Sequence, residues 1–275
     1  MNWRVPFACI AGAVIAALIA GTAVPTPGED PRHGAEGFAA LMRAPIDLPH
    51  GLADMGFVAV PAGTDRTTLR VHPAMPDCST LGEYAVRATG VALALAAPHR
   101  DSDRHTGDLV EFLFVETGAR AAAWNTAPRR PSATCPDTVD LAREAEHPFT
   151  AFALAFADAY PGGSIVQLHG FDAARRYSEA GDAAAIVSNG TASPGVRVFD
   201  LADCLSLAFA PAPVMVYPGD ARELGAVTNA QGEALRQAGF EGFAHLELSL
   251  AMREALMIDP ALRARLTACL TDGAA

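Results

Sequence analysis

Short apolar runs recur along this chain, each closed by a polar residue or a breaker and followed by a stretch with helical periodicity. Phe57–Gly63 and Thr68–Ala74 predict an antiparallel pair with a turn at Gly63-Thr64-Asp65. Val91–Ala97 is the first strongly apolar strand, and His105–Glu116 reads as a helix with Leu109, Phe112 and Leu113 on one face. Ala119–Asn125 is another strand, followed by a breaker-rich loop over Pro128–Pro136 and a helical region from Asp137 that Pro148 should kink or restart. In that region Phe149, Phe152, Leu154 and Phe156 are too spread for one narrow stripe, which predicts burial on more than one side. Further strands are predicted at Ser164–Gly170, Ala184–Gly190, Pro213–Gly219 and Phe243–Ser249. The helices between and after them cover Val196–Ala210, a segment around Ala234-Leu235-Arg236 capped by Thr228-Asn229, and Leu250–Leu270 with a break near Pro260.

This alternation predicts an α/β fold: three layers, α/β/α, around a central, mostly parallel mixed sheet. Ligands of such sheets bind outside the carboxyl ends of the strands. The residues that close the strands are therefore the candidates for chemistry.

Composition narrows the classes. Half of the 275 residues are apolar, enough for one large core, and the formal net charge of −11 argues against a nucleic-acid partner. Arg4 precedes an uncharged apolar stretch that ends in Gly21-Thr22-Ala23, and a Pro-rich polar segment follows. This pattern predicts an export signal over residues 1–23, a loose lead-in over 24–50 and a single α/β domain within 24–275. The expected location is periplasmic or extracellular, with no stable membrane span after cleavage. An uncleaved signal would instead anchor the chain. Cys78, Cys135, Cys204 and Cys269 lie beyond the signal and lack any close metal-binding spacing, so they are candidates for two disulfides or for buried thiols.

Three strand ends carry imidazoles and carboxylates. Val91–Ala97 leads into Pro98–Gly107, where His99, Asp101, Asp103 and His105 crowd one loop. Ser164–Gly170 delivers His169, followed by Gly170, which allows a close backbone approach. In Phe243–Ser249, His245 and Glu247 share one face with Phe243, while Leu246 and Leu248 take the other. Two histidines and one carboxylate form a catalytic zinc set that leaves a position open for water. Glu247, among apolar neighbours, suits the general base beside such an ion; its plainer alternative is an ion pair with Arg253. Asn125 ends another strand, and Arg129 and Arg130 follow in its loop; an exposed Arg pair is usually a solvated face, but beside a zinc site it is a candidate clamp for a substrate carboxylate. The chain has no GxSxG elbow, HExxH helix, Walker loop or GxGxxG turn.

Taken in order from Val91 to Ser249, these motifs resemble the zinc carboxypeptidase-like hydrolases, most of all the N-formylglutamate amidohydrolase and poly-γ-glutamate hydrolase branches. The resemblance implies a zinc-exopeptidase-like three-layer fold and one Zn2+. It implies His99, Asp103 and His169 as ligands, Glu247 as general base, and Asn125 with Arg129 or Arg130 at a substrate carboxylate. Many relatives carry HxxE, whereas Ser102 stands three residues after His99 here, with Asp101 and Asp103 on either side. Asp103 is favoured because a four-residue offset can bring it back to His99 across a turn. The expected function is an exported zinc-dependent hydrolase of amide or peptide bonds, acting on a small peptide or acidic amide that carries a carboxylate. The alternative is a non-catalytic ligand-binding module on the same fold.

Overall fold

The computed structural model describes residues 32–43, 51–62, 65–75, 82–126, 128–133, 136 and 140–272. The export signal, Gly63-Thr64 of the expected turn, Cys78, Cys135 and Asp137 lie outside the described residues. Among the described residues nine strands form one sheet. In chain order they are β1 (Phe57–Ala62), β2 (Asp65–Pro73), β3 (Glu83–Arg87), β4 (Val91–Ala97), β5 (Ala119–Trp124), β6 (Ser164–Phe171), β7 (Ala185–Ser188), β8 (Val214–Val216) and β9 (Phe243–Ser249). Their spatial order is β1-β2-β3-β5-β4-β6-β9-β7-β8.

The parallel part of this mixed sheet is its centre, β5-β4-β6-β9, together with the β7–β8 pair. Antiparallel pairing joins β1, β2 and β3 to β5 on one side and β7 to β9 on the other. The expected β1–β2 pair is present, in register from Phe57↔Pro73.

Eight helices are described: α1 (Arg32–Arg43), α2 (Gly51–Asp54), α3 (Thr106–Thr117), α4 (Pro148–Ala159), α5 (Val196–Phe209), α6 (Ala230–Gln237), α7 (Leu250–Ile258) and α8 (Pro260–Asp272). The central strands are apolar on both faces because helices cover both. On one side Leu93, Leu95, Leu168, Leu246 and Leu248 pack with α3, α5, α7 and α8. On the other, Ala94, Ala96, Ile165 and Phe243 pack with α1, α4 and α6. The period-two alternation of strand side chains thus produces the three layers. Among the described residues no helix is long and apolar enough to cross a membrane.

Local signals explain the helix ends. Pro148 restarts the chain as the first residue of α4, where its missing N–H costs nothing, and a short 3-10 turn at Leu141–Arg143 precedes it. Phe149, Phe152 and Phe156 are buried along one stripe and Leu154 is half-buried beside it. Asn229 caps α6 by accepting from Gly232 N–H at 2.8 Å. Pro260 separates α7 from α8. Phe112 departs from the expected buried face of α3: it is 42% exposed and lies under the Arg263 guanidinium, 4.8 Å from the ring centre. Cys204 and Cys269 form a disulfide that ties α5 to α8 across 65 residues of chain.

Candidate metal centre

The site sits where β4, β6 and β9 end. In the parallel β6–β9 ladder Gln167 stands opposite His245 and His169 opposite Glu247, so all four residues share one face of the sheet. After β4 the chain folds back on itself: the Asp103 N–H donates to the His99 carbonyl at 2.8 Å, and Thr106 N–H donates to the Asp103 carbonyl at 3.0 Å. His105 completes this turn in the left-handed region, at φ 74°, just before α3. The turn brings a carboxylate four residues away back onto His99. Asp101 is exposed, whereas Asp103 is buried, which makes Asp103 the carboxylate of this cluster.

Asp103 Oδ2 is the meeting point. It lies 3.2 Å from His99 Nδ1 and 3.5 Å from His169 Nδ1, and it accepts from Gly170 N–H at 3.1 Å. A Cβ at Gly170 would stand 2.0 Å from Arg253 Nη1, so glycine here lets the guanidinium pack against the strand end. The Arg253 guanidinium donates to the main-chain carbonyls of Arg104, Phe171 and Ser249 and makes no ion pair with Glu247.

The far nitrogens of both imidazoles are committed. His99 Nε2 lies 2.6 Å from Asp140 Oδ1. Asp140 Oδ2 in turn accepts from Arg129 Nε at 3.1 Å and from an Arg129 terminal nitrogen at 2.6 Å. His169 Nε2 lies 2.9 Å from Gln167 Oε1, which also accepts from Asn229 Nδ2. Gln167 Nε2 donates to Gln231 Oε1 at 3.0 Å, and Gln231 donates to the Leu141 carbonyl and Thr150 Oγ1. Carboxylate and amide oxygens only accept, so each Nε2 is the donor. In neutral rings both Nδ1 lone pairs therefore face the Asp103 carboxylate. Three converging lone pairs from two imidazoles and one carboxylate are the donor set of a divalent transition metal.

Electrostatics follow from this packing. Burial lowers the His169 imidazole below its ordinary value against the opposing pull of Asp103. Burial would lower His99 as well, but the hydrogen bonds it donates to Asp103 and Asp140 when protonated more than offset this and raise the ring. Burial would raise Asp103 and Asp140; their imidazole partners, and Arg129 at Asp140, hold both well below the usual carboxylate range. Glu247 is the opposite case. Burial first, then the charge of Asp103, push its carboxyl up to about 8. His245 is held well below the ordinary imidazole value, by burial first and then by the neighbouring histidines.

These residues open onto a cleft of about 720 Å³. Its wall includes Arg104, Arg129, Arg130, Arg143, Arg175, Arg176 and Arg253, against the carboxylates of Asp103, Asp172 and Glu247. A chain with net charge −11 thus carries a cationic mouth. Arg129 and Arg130 both reach this mouth, although Arg129 is shared with Asp140. Asn125 does not line the cleft: it is buried at 1% exposure, and its N–H continues the sheet to the Ala97 carbonyl.

The sequence pattern assigned no site role to Asp140, Gln167 or Gln231, and marked Asn229 only as a helix cap. Gln167 carried a signal, since on a strand it shares a face with His169 two residues on. Asp140 carried none, because the loop that supplies it is joined to His99 only by the fold.

No family model matches the chain, and no match is found among curated proteins. Solved structures do resemble it. A bacteriophage poly-gamma-glutamate hydrolase is 14% identical over 73% of this chain and 90% of its own, with a TM-score of 0.44. N-formylglutamate amidohydrolase from Ralstonia eutropha JMP134 is 14% identical over 67% and 92%, with a TM-score of 0.42. A metallo-carboxypeptidase from Burkholderia cenocepacia is 14% identical over 87% and 68%, with a TM-score of 0.41. The roles of the side chains rest on the geometry above.

Proposed function

We propose that this protein is an exported, zinc-dependent hydrolase of amide or peptide bonds in substrates that carry a carboxylate. The observation that supports it most is the convergence of His99 Nδ1, His169 Nδ1 and Asp103 Oδ2, with both far imidazole nitrogens already committed. His99, Asp103 and His169 would hold the ion. When bound, zinc supplies Lewis acidity toward the scissile carbonyl and lowers the pKa of a water.

Glu247 does the proton work. Its Oε2 is buried without a hydrogen-bond partner among the described residues, so it is available to a water in the cleft. It takes a proton from the attacking water and delivers it to the leaving nitrogen. A carboxyl pushed up to about 8 is a stronger base than an exposed one, and its charged form would be favoured with a cation held beside it. The arginines at the mouth favour an anionic substrate; Arg129 and Arg130 are the proposed clamp for its carboxylate. Export is supported by the apolar stretch after Arg4 and by the Cys204–Cys269 bridge, which suits an oxidising compartment.

The test compares wild type with Glu247→Gln on a panel of N-acylglutamates and γ-glutamyl peptides. The expected result is zinc-dependent hydrolysis that falls about 10²–10⁴-fold in the variant, with its tightly bound zinc equivalent unchanged. Full-rate hydrolysis by Glu247→Gln would remove the proposed base. Zinc binding without hydrolysis of any carboxylate-bearing amide would favour a ligand-binding module.

A further inference from the structure

The metal set and the base leave one buried group of the site unused. His245 is 3% exposed and its Nδ1 has no hydrogen-bond partner among the described residues. Its Nε2 stands 3.7 Å from Glu247 Oε1, beyond hydrogen-bond length, and Glu247 Oε2 is equally without a partner. An unpaired buried donor or acceptor carries its full desolvation cost. Here an imidazole and a carboxylate carry that cost side by side on one strand face, at the floor of an open cleft. The His245 ring lies against that of His169, centres 4.3 Å apart. One donor atom from each of His169, His245 and Glu247 falls within 4.8 Å of the others.

We propose that His245 and Glu247, with His169 beside them, form a second cation subsite next to the His99–Asp103–His169 triad, and that it takes a second divalent ion of the zinc class. The donors are the His245 imidazole and the Glu247 carboxylate, with the His169 ring as a wall; imidazole and carboxylate suit Zn2+ or Co2+ and leave positions for water. The one free lone pair of His169, on Nδ1, faces Asp103, and its Nε2 proton is held by Gln167, so the second subsite's own donors are His245 and Glu247, two against the three of the first triad. Fewer private donors and repulsion from the first ion make the second ion the weaker one. The proposal rests on the metal centre assigned above and adds a two-ion state in which Glu247 is a ligand rather than a free base.

The experiment titrates the metal-free full-length protein with Zn2+ and Co2+, using competition with a chromophoric chelator and equilibrium dialysis. Wild type should take two equivalents, the second at least about tenfold weaker. His245→Ala and His245→Leu should each keep the tight equivalent and lose the weaker one. The leucine variant fills the space and removes an unpaired nitrogen, so a native circular-dichroism spectrum is expected. The visible absorption of Co2+ should gain a second component between one and two equivalents in wild type and not in the variants. Saturation of wild type at one equivalent, or two equivalents surviving in both variants, overturns the second subsite. In either case a tight equivalent lost in His99→Ala leaves the hydrolase reading standing. Failure of wild type to bind any ion overturns both.

Discussion

His169 Nε2 lies 2.9 Å from Gln167 Oε1, two residues back on the same strand, and this contact decides which ring nitrogen faces Asp103. Because Gln167 Oε1 can only accept, the proton sits on Nε2 and the Nδ1 lone pair is turned into the site. Gln167 is in turn held by Asn229 and Gln231.

Gln167 is therefore a positioning residue. Gln167→Met should weaken zinc binding about 10–100-fold, whereas Gln167→Glu, which keeps an acceptor for His169, should recover most of it. Competition titration with a chelator measures both. Equal zinc affinity in wild type and Gln167→Met would show that the ring needs no such hold.

Asp140 plays the matching part at His99. It is one of two carboxylates that raise this imidazole against burial. In metal-free Asp140→Asn the His99 titration, followed by NMR of the ring protons, should move to lower pH than in wild type. An unchanged midpoint would mean that Asp140 does not share a proton with His99.

Glu247 predicts a pH dependence of stability. Its carboxyl ordinarily titrates at 4.5 and is pushed up to about 8 in the folded, metal-free chain. Between these values the folded state binds more protons than the unfolded state, so this group makes stability fall as pH rises. Metal-free Glu247→Gln loses that slope. Relative to wild type it should gain on the order of a few kcal/mol between pH 5 and pH 8, read by urea unfolding at both pH values. A stability difference between the two proteins that is the same at pH 5 and pH 8 would contradict the buried, protonated carboxyl.

The Cys204–Cys269 bridge closes a span of 65 residues between α5 and α8. Cys204→Ser should cost about 2–4 kcal/mol in chemical denaturation. Both cysteines line a hollow near Ser164, at the start of β6, while the candidate metal ligand His169 lies near its end. Zinc affinity should therefore be unaffected, and a parallel loss of affinity would show that the two ends of the sheet are coupled.

The strands were legible because each is a short apolar run with a marked stop, as in Val91–Ala97 before Pro98. The candidate site was legible to the extent that it is built from strand ends: His99, His169, His245 and Glu247 were all visible there. Asp103 could be preferred over Asp101 only by the length of a turn, and the turn does close between His99 and Asp103. What remained hidden came from distance in sequence. Asp140 reaches His99 from 41 residues away, and Gln231 reaches Gln167 from 64. Phe112 fitted the apolar face of α3 by spacing, yet Arg263 of α8 covers it in place of the core. Local patterns carry no information about such partners.

The most direct test of the metal centre is anomalous diffraction at the zinc edge from crystals of the zinc-loaded protein. The account predicts a peak bounded by His99 Nδ1, Asp103 Oδ2 and His169 Nδ1, at about 2.0–2.2 Å from each. A crystal with full zinc in the soak and no peak at these three atoms would contradict it.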